Sequence, residues 1–140
     1  MSLLYEPVRI ADTRVTNYLG PPSPLTDGQE LPLPIGGHTF GNETIPTNVT
    51  GIIANLTVVN ATGDGYLVAW TPDAPPNPPP PEPDTSSINF AAGGAPLANM
   101  LIARLGPGGQ LFSENGLFLA AHIAGGGNVD VIVDLIGYTA

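Results

Sequence analysis

Val129-Asp130-Val131-Ile132-Val133-Asp134-Leu135-Ile136-Gly137-Tyr138 alternates so that Val129, Val131, Val133 and Leu135 point one way. Successive side chains of an extended strand face opposite sides, so this spacing lays four apolar groups on one face. The stretch reads as a core strand. Gly125-Gly126-Gly127-Asn128 turns the chain into it from Leu117–Ala124, another apolar run.

The same period recurs toward the N-terminus. In Ile52–Asn60, the side chains of Ile52, Ala54, Leu56 and Val58 share a face, with Asn55 and Thr57 opposite. Asp64-Gly65 closes a loop, and Tyr66–Trp70 follows with Tyr66, Val68 and Trp70 on one side, so the two runs read as a hairpin. Leu97–Leu105 sets Leu97, Leu101, Ala103 and Leu105 against Met100, Ile102 and Arg104. Gly106-Pro107-Gly108-Gly109 then turns into the short run Gln110–Ser113, and Glu114-Asn115-Gly116 turns again into Leu117. Val8–Thr13 and Ser86–Phe90 are two further strands, with weaker runs near Leu31 and at His38–Phe40. Helix is hard to place anywhere: Leu97–Leu105 suits one by composition, but its β-branched and Asn content, with glycine turns nearby, favours strand. About eight to ten strands separated by turns predict one all-β domain over residues 1–140, an antiparallel β-sandwich or jelly roll.

Two segments break the alternation. Gly20–Pro34 carries Pro21, Pro22, Pro24, Pro32 and Pro34, and is expected to run over the surface, adding little to any ladder. In Pro72–Pro83, eight of twelve residues are proline. Such a run favours a stiff polyproline II arm rising about 3.1 Å per residue. Two readings stand: a loop that only joins strands, or a clip in which Pro75, Pro76, Pro78, Pro79, Pro80 and Pro81 pack on a neighbouring subunit. The low ordering cost of proline tilts the expectation toward the contact.

Composition limits the partners. The 140 residues hold twelve acids against three arginines (Arg9, Arg14, Arg104) and no lysine, a net charge of −9. That field repels phosphate backbones and anionic headgroups, so neither nucleic acid nor a membrane surface is an expected partner. There is no cysteine, hence no disulfide or thiolate chemistry. Met1–Pro7 shows neither a basic segment nor an apolar stretch of signal length. The expectation is export without a signal, or a signal already removed.

Several short motifs fall in a recognisable order. They are Arg9-Ile10-Ala11-Asp12-Thr13-Arg14, Ile45-Pro46, Val49-Thr50-Gly51-Ile52-Ile53-Ala54-Asn55-Leu56-Thr57-Val58, Gly65-Tyr66-Leu67, Ile88-Asn89-Phe90, Ala98-Asn99 and Asp134-Leu135-Ile136-Gly137-Tyr138. Together they resemble the β-rich module, often repeated, of secreted and surface proteins of actinobacteria and related bacteria. That module opens with L-x-D-T-R and closes with D-x-x-G-Y. The resemblance covers nearly the whole chain, although the proline arm is longer than the family's segment there. It implies a non-catalytic surface or structural module.

Candidate chemistry is sparse. Asp12 and Arg14, two apart on a strand, lie on one face at about 6.6 Å. With Asp134 they are either a ligand-binding carboxylate site or an ion pair, Arg14 to Asp12 or Asp134, that fixes the meeting of first and last strands. The ion pair is the expectation, because an arginine fork suits partly buried carboxylates. Asp130 and Asp134 share a face, but four strand residues separate them by about 13 Å, beyond the roughly 5 to 9.5 Å of a glycosidase pair. His38 and His122 have no metal-ligand spacing, and no D-x-D-x-D-G loop offers calcium a site, so no metal and no cofactor is expected. Neither G-x-S-x-G nor a phosphate loop occurs. Sequons at Asn42, Asn48, Asn55 and Asn60 arise readily in Thr-rich strands.

The chain is therefore expected to be no enzyme, and to act as a structural or accessory protein of a bacteriophage virion. Capsid decoration and tail appendage both fit, with partners being its own copies (a trimer) and other virion proteins. The alternative is a secreted bacterial cell-surface module that binds or adheres to glycan or protein.

Overall fold

A computed structural model describes residues 1–71, 87–108 and 111–140. They form β1 (Ser2–Asp12), β2 (Leu25–Thr26), β3 (Glu30–Pro34), β4 (Thr39–Phe40), β5 (Glu43–Thr44), β6 (Gly51–Val59), β7 (Gly65–Trp70), β8 (Ile88–Phe90), β9 (Leu97–Arg104), β10 (Gly106–Pro107), β11 (Asn115–Ile123) and β12 (Asn128–Thr139). The only helical turn among them is a short 3-10 turn at Ala124–Gly126. The architecture is all-β, with two antiparallel sheets packed as a sandwich. Twelve strands exceed the expected eight to ten because four of them are only two residues long.

The valine stripe sits where its pattern demands. β12 lies inside the first sheet, in the order β1-β12-β6-β9, with β2 pairing its start. Val129, Val131, Val133 and Leu135 are essentially inaccessible and meet Ile52, Ala54, Leu56 and Val58 of β6 in one core. The second sheet has the order β10-β11-β7-β8, with β3 on β11, and sends Leu31, Leu33, Leu67, Leu117, Leu119 and Ile123 into the same core.

β11 is buried on both faces. Its Phe118 and Ala120 join Val68, Trp70 and Phe112 in a second, smaller cluster on the outer side. Rings 5.5 Å apart (Trp70 and Phe118) and 5.4 Å apart (Phe112 and Phe118) hold that cluster together. Trp70 Nε1 is the buried side-chain polar atom left without a hydrogen-bond partner among the described residues.

Three expectations need correction. Ile52–Asn60 and Tyr66–Trp70 are not a hairpin: β6 pairs β12 and β9, whereas β7 pairs β11 and β8 in the other sheet. The connecting loop is tied to β12, which carries it across the sandwich. Thr62 N donates to the Asn128 carbonyl at 2.9 Å, and Asn128 N donates to Thr62 Oγ1 at 2.8 Å. Asn60 meanwhile takes a positive φ of 58° that turns the chain.

Residues 111–113 are not a strand either. Phe112 folds back into the outer cluster, in a loop closed by the Gly108 N–H on the Phe112 carbonyl at 3.0 Å.

Nor does Gly20–Pro34 merely lie on the surface. Leu25 is fully buried beside β12, and Glu30–Pro34 pairs with β11 over five residues. Prolines are tolerated here because β3 has a ladder on one side only. Backbone N–H groups alternate sides along a strand, so the spacing of Pro32 and Pro34 puts both missing donors on the same side. β11 helps by placing Gly116 opposite Pro34, since a Cβ there would come 2.0 Å from the Leu33 carbonyl oxygen. The proline arm, including Pro75, Pro76 and Pro78–Pro81, lies outside the described residues.

The β3 finding predicts a large effect of truncation. Leu33→Ala removes a fully buried side chain, and is expected to cost about 2–5 kcal/mol. Urea unfolding reads this directly, and a surface segment would lose under about 0.5 kcal/mol.

Candidate functional site

The first and last strands meet at a cluster of charge. Arg9 on β1 stands directly opposite Asp134 on β12. Its guanidinium grips that carboxylate with two bonds, Nε to Oδ1 at 2.9 Å and Nη2 to Oδ2 at 3.2 Å. The third nitrogen, Nη1, reaches Asp12 Oδ2 at 3.3 Å. Arg14 closes on Asp12 from the other side, with Nε to Oδ1 and Nη2 to Oδ2 both at 3.0 Å. Its backbone N–H donates to Asp12 Oδ1 at 3.1 Å. Asp12 thus accepts four donors, about the number of acceptor positions a carboxylate has. It can afford burial at 3 % exposure because none of that capacity is left empty.

The expected trio is therefore brought together, but wired differently. Arg14 serves Asp12 alone, and Asp134 is held by Arg9. Two features of the local chain explain the change. β1 ends at Asp12, so Arg14 is in the following turn and reaches back, its N–H closing a loop on the Asp12 side chain. A bulge between Arg9 and Ala11 then adds a residue to β1 relative to β12. Period-2 counting places Arg9 and Asp12 on opposite faces; the extra residue shifts the phase and lets both reach one cluster.

Thr13 makes the adjoining lock. Only 2 % exposed, it donates its N–H to the Val131 carbonyl at 3.0 Å and accepts the Val131 N–H on Oγ1 at 2.9 Å. Its hydroxyl donates to Asp130 Oδ1 at 2.8 Å, and Asn60 Nδ2 donates to Asp130 Oδ2 at 3.2 Å. A single threonine so continues the β1–β12 ladder past the end of β1 and ties in the loop after β6. From the sequence, Asp130 stands out only as half of a carboxylate pair too widely spaced for a glycosidase. The N-x-T pattern at Asn60 gives no sign of its bond to Asp130.

Electrostatically the cluster favours its charged forms. Hydrogen bonding from Arg14 is the main cause that holds the Asp12 carboxyl below the usual aspartate range, against the opposing effect of burial. The Arg9 guanidinium is raised, chiefly by its bonds to Asp134. Both carboxylate oxygens of Asp12 are occupied by donors of the protein itself. The arrangement clamps strands together.

The histidines lie apart from it. His38 stacks on Phe40 at 6.0 Å, and His122 stacks on Tyr66 at 5.0 Å. Among the described residues no group of three or more His, Cys, Asp or Glu side chains could hold a metal ion.

The clamp gives a pH prediction. A carboxyl whose folded pKa is depressed stabilises the fold above its unfolded value near 3.9, and that stability drains away as pH falls through the folded value. Asp12→Asn is expected to lose about 2–3 kcal/mol at pH 7 and to show a flatter decline than the native chain below about pH 4. Parallel acid-unfolding curves for the two proteins would contradict the assignment.

Searches by family model, against curated proteins and against solved structures, found no match to this chain.

Proposed function

We propose that the protein is a non-enzymatic structural accessory protein of a bacteriophage virion, a capsid decoration or tail appendage that acts by assembling with its own copies. The observation that carries this reading is the placing of exposed apolar side chains. On β9, Leu97 is 45 %, Met100 62 % and Ile102 72 % exposed; on β1, Leu3 is 70 % and Tyr5 99 % exposed. These strands are the two opposite edges of the first sheet. In a chain of net charge −9, the segment Pro96–Ala103 has no charged residue at all.

Exposed apolar groups gathered along a sheet edge mark a contact surface. Because the two edges differ, contact of one copy's β9 with the next copy's β1 is head-to-tail, a contact that gives a ring where the rotation between copies closes and a filament where it does not. A three-membered ring is the form proposed. The contact is one of side chains more than of added strands, since β9 already spends part of its edge backbone. The Met100 N–H is held by Asn99 Oδ1 at 3.1 Å, and the Thr71 hydroxyl donates to the Arg104 carbonyl. The acidic remainder of the surface then keeps assembled rings soluble and apart.

Sedimentation equilibrium tests the assembly. Ile102→Glu changes a 72 % exposed side chain and leaves the core untouched. It is expected to convert an oligomer into a monomer of unchanged thermal stability. A native chain that is monomeric at every concentration, or an unchanged mass for the variant, overturns the ring. The virion setting is read separately: the protein is expected to co-purify with phage particles through a density gradient, and its absence from them contradicts that setting.

A secreted cell-surface binding module is the second reading. It is favoured by one feature, a recess between loops at the end of the sandwich.

A further inference from the structure

Three connections converge at one end of the sandwich: the β2–β3 turn with Asp27, the β6–β7 loop with Asp64, and the β11–β12 turn with Ala124. Between them lies an open recess of about 410 Å³ lined by Asp27, Asp64, Tyr66, His122, Ile123 and Ala124, with Gly65. It is a shallow surface depression, open to solvent on one side, of the kind that seats one face of a ligand. Loops gathered at the end of a rigid β-scaffold are a common place for recognition.

Two properties of the lining define a ligand. The first is an aromatic surface. Tyr66 and His122 are cross-strand neighbours, their rings 5.0 Å apart and inclined by 26°, yet Tyr66 remains 40 % exposed. A ring anchored by stacking and still open to solvent is a fixed platform. The second is a pair of oriented acceptors, the exposed Asp27 and Asp64, beside a floor that is itself mostly apolar. The Ile123 N–H donates to Asp27 Oδ1, and the Ala92 N–H to Asp64 Oδ1, both at 2.8 Å. One such bond orients a carboxylate and leaves capacity for further donors. Apart from these carboxylates, the tyrosine and the histidine, the lining is Gly65, Ile123 and Ala124.

We infer that this recess binds a neutral saccharide, one sugar ring packing its C–H face on Tyr66 while hydroxyl groups donate to Asp27 and Asp64. A sugar has the amphipathic form the lining asks for, an apolar face edged by donors. The carboxylates are already fixed by backbone N–H groups, so little ordering cost remains when the ligand arrives. This deepens the binding-module reading and rests on it. It is independent of ring assembly, since the recess lies in the second sheet and its turns, whereas the assembly edges belong to the first.

The test is an NMR titration of the full chain, carried out on the monomeric Ile102→Glu variant as well as the native protein. The probes are neutral disaccharides built from glucose, galactose, mannose or N-acetylglucosamine, with N-acetyl-arginine amide as a cationic probe. At least one disaccharide is expected to shift the amides of Gly65, Tyr66, His122 and Ala124 saturably. Tyr66→Phe should retain binding, because the ring persists. Tyr66→Ala should abolish it, and Asp27→Asn, which keeps an acceptor for Ile123, should weaken it about tenfold, as loss of one charge-assisted hydrogen bond does.

Spectra of the variants that remain native away from the recess show that the fold has survived. No saturable shift with any disaccharide overturns the inference, as do shifts confined to other surfaces. Shifts with the arginine probe alone overturn the saccharide in favour of a cationic ligand. Binding by the monomeric variant, whether or not the native chain forms a ring, keeps this result separate from the assembly test.

Discussion

The structure depends on the inward packing of one strand. β12 is hydrogen-bonded on both sides, to β1 and to β6, and drives Val129, Val131, Val133 and Leu135 into the core. A strand so held cannot slip by one residue without turning four apolar side chains to water and four neighbours to the core, which fixes the register of the whole first sheet. The second sheet then has one apolar surface to cover. β11 supplies the matching stripe of Leu117, Leu119, Ala121 and Ile123.

The charged cluster at Asp12 is placed by that register and reinforces it. Arg9 meets Asp134 only because β1 and β12 align as they do, and Thr13 extends the pairing beyond the last residue of β1. Asp12 and Arg14 make one compact unit with the intervening threonine: its outer members neutralise each other while the middle one is sewn to β12. The D-T-R motif in this chain is thereby accounted for by strand joining, with each of its three residues bonded within the protein.

How much of this was legible follows from where the two-residue period holds. Over Ile52–Val58 burial alternates residue by residue, whereas along Val129–Leu135 the core stripe is buried as the period demands and Asp130 and Ile132 on the other face are covered as well. The period fails at bulges. The extra residue between Arg9 and Ala11 hid Arg9 from the ion-pair argument, and nothing in the local sequence announces such an insertion. Pairing partners were less visible than strands. β6 and β7 are neighbours in sequence with a plausible hairpin loop between them, yet their ladders run to strands far along the chain, β6 to β12 and β9 and β7 to β11 and β8. Proline misled in the opposite sense at β3, because its cost depends on whether the side it blanks is used. The recess beside Tyr66 had no signature, since its lining comes from three separated turns.

The interior is a closed apolar core, and the assembly we propose assigns the work to the exterior, above all to the apolar edges of the first sheet. Hydrogen exchange at two protein concentrations tests this most directly. Amides of β12 and β6 should exchange slowly and equally at both. Those of β9 and the first half of β1 should slow markedly at the higher concentration, as copies cover them. Edge amides exchanging at the same rate at both concentrations, over a range where an assembly would form, would contradict the account.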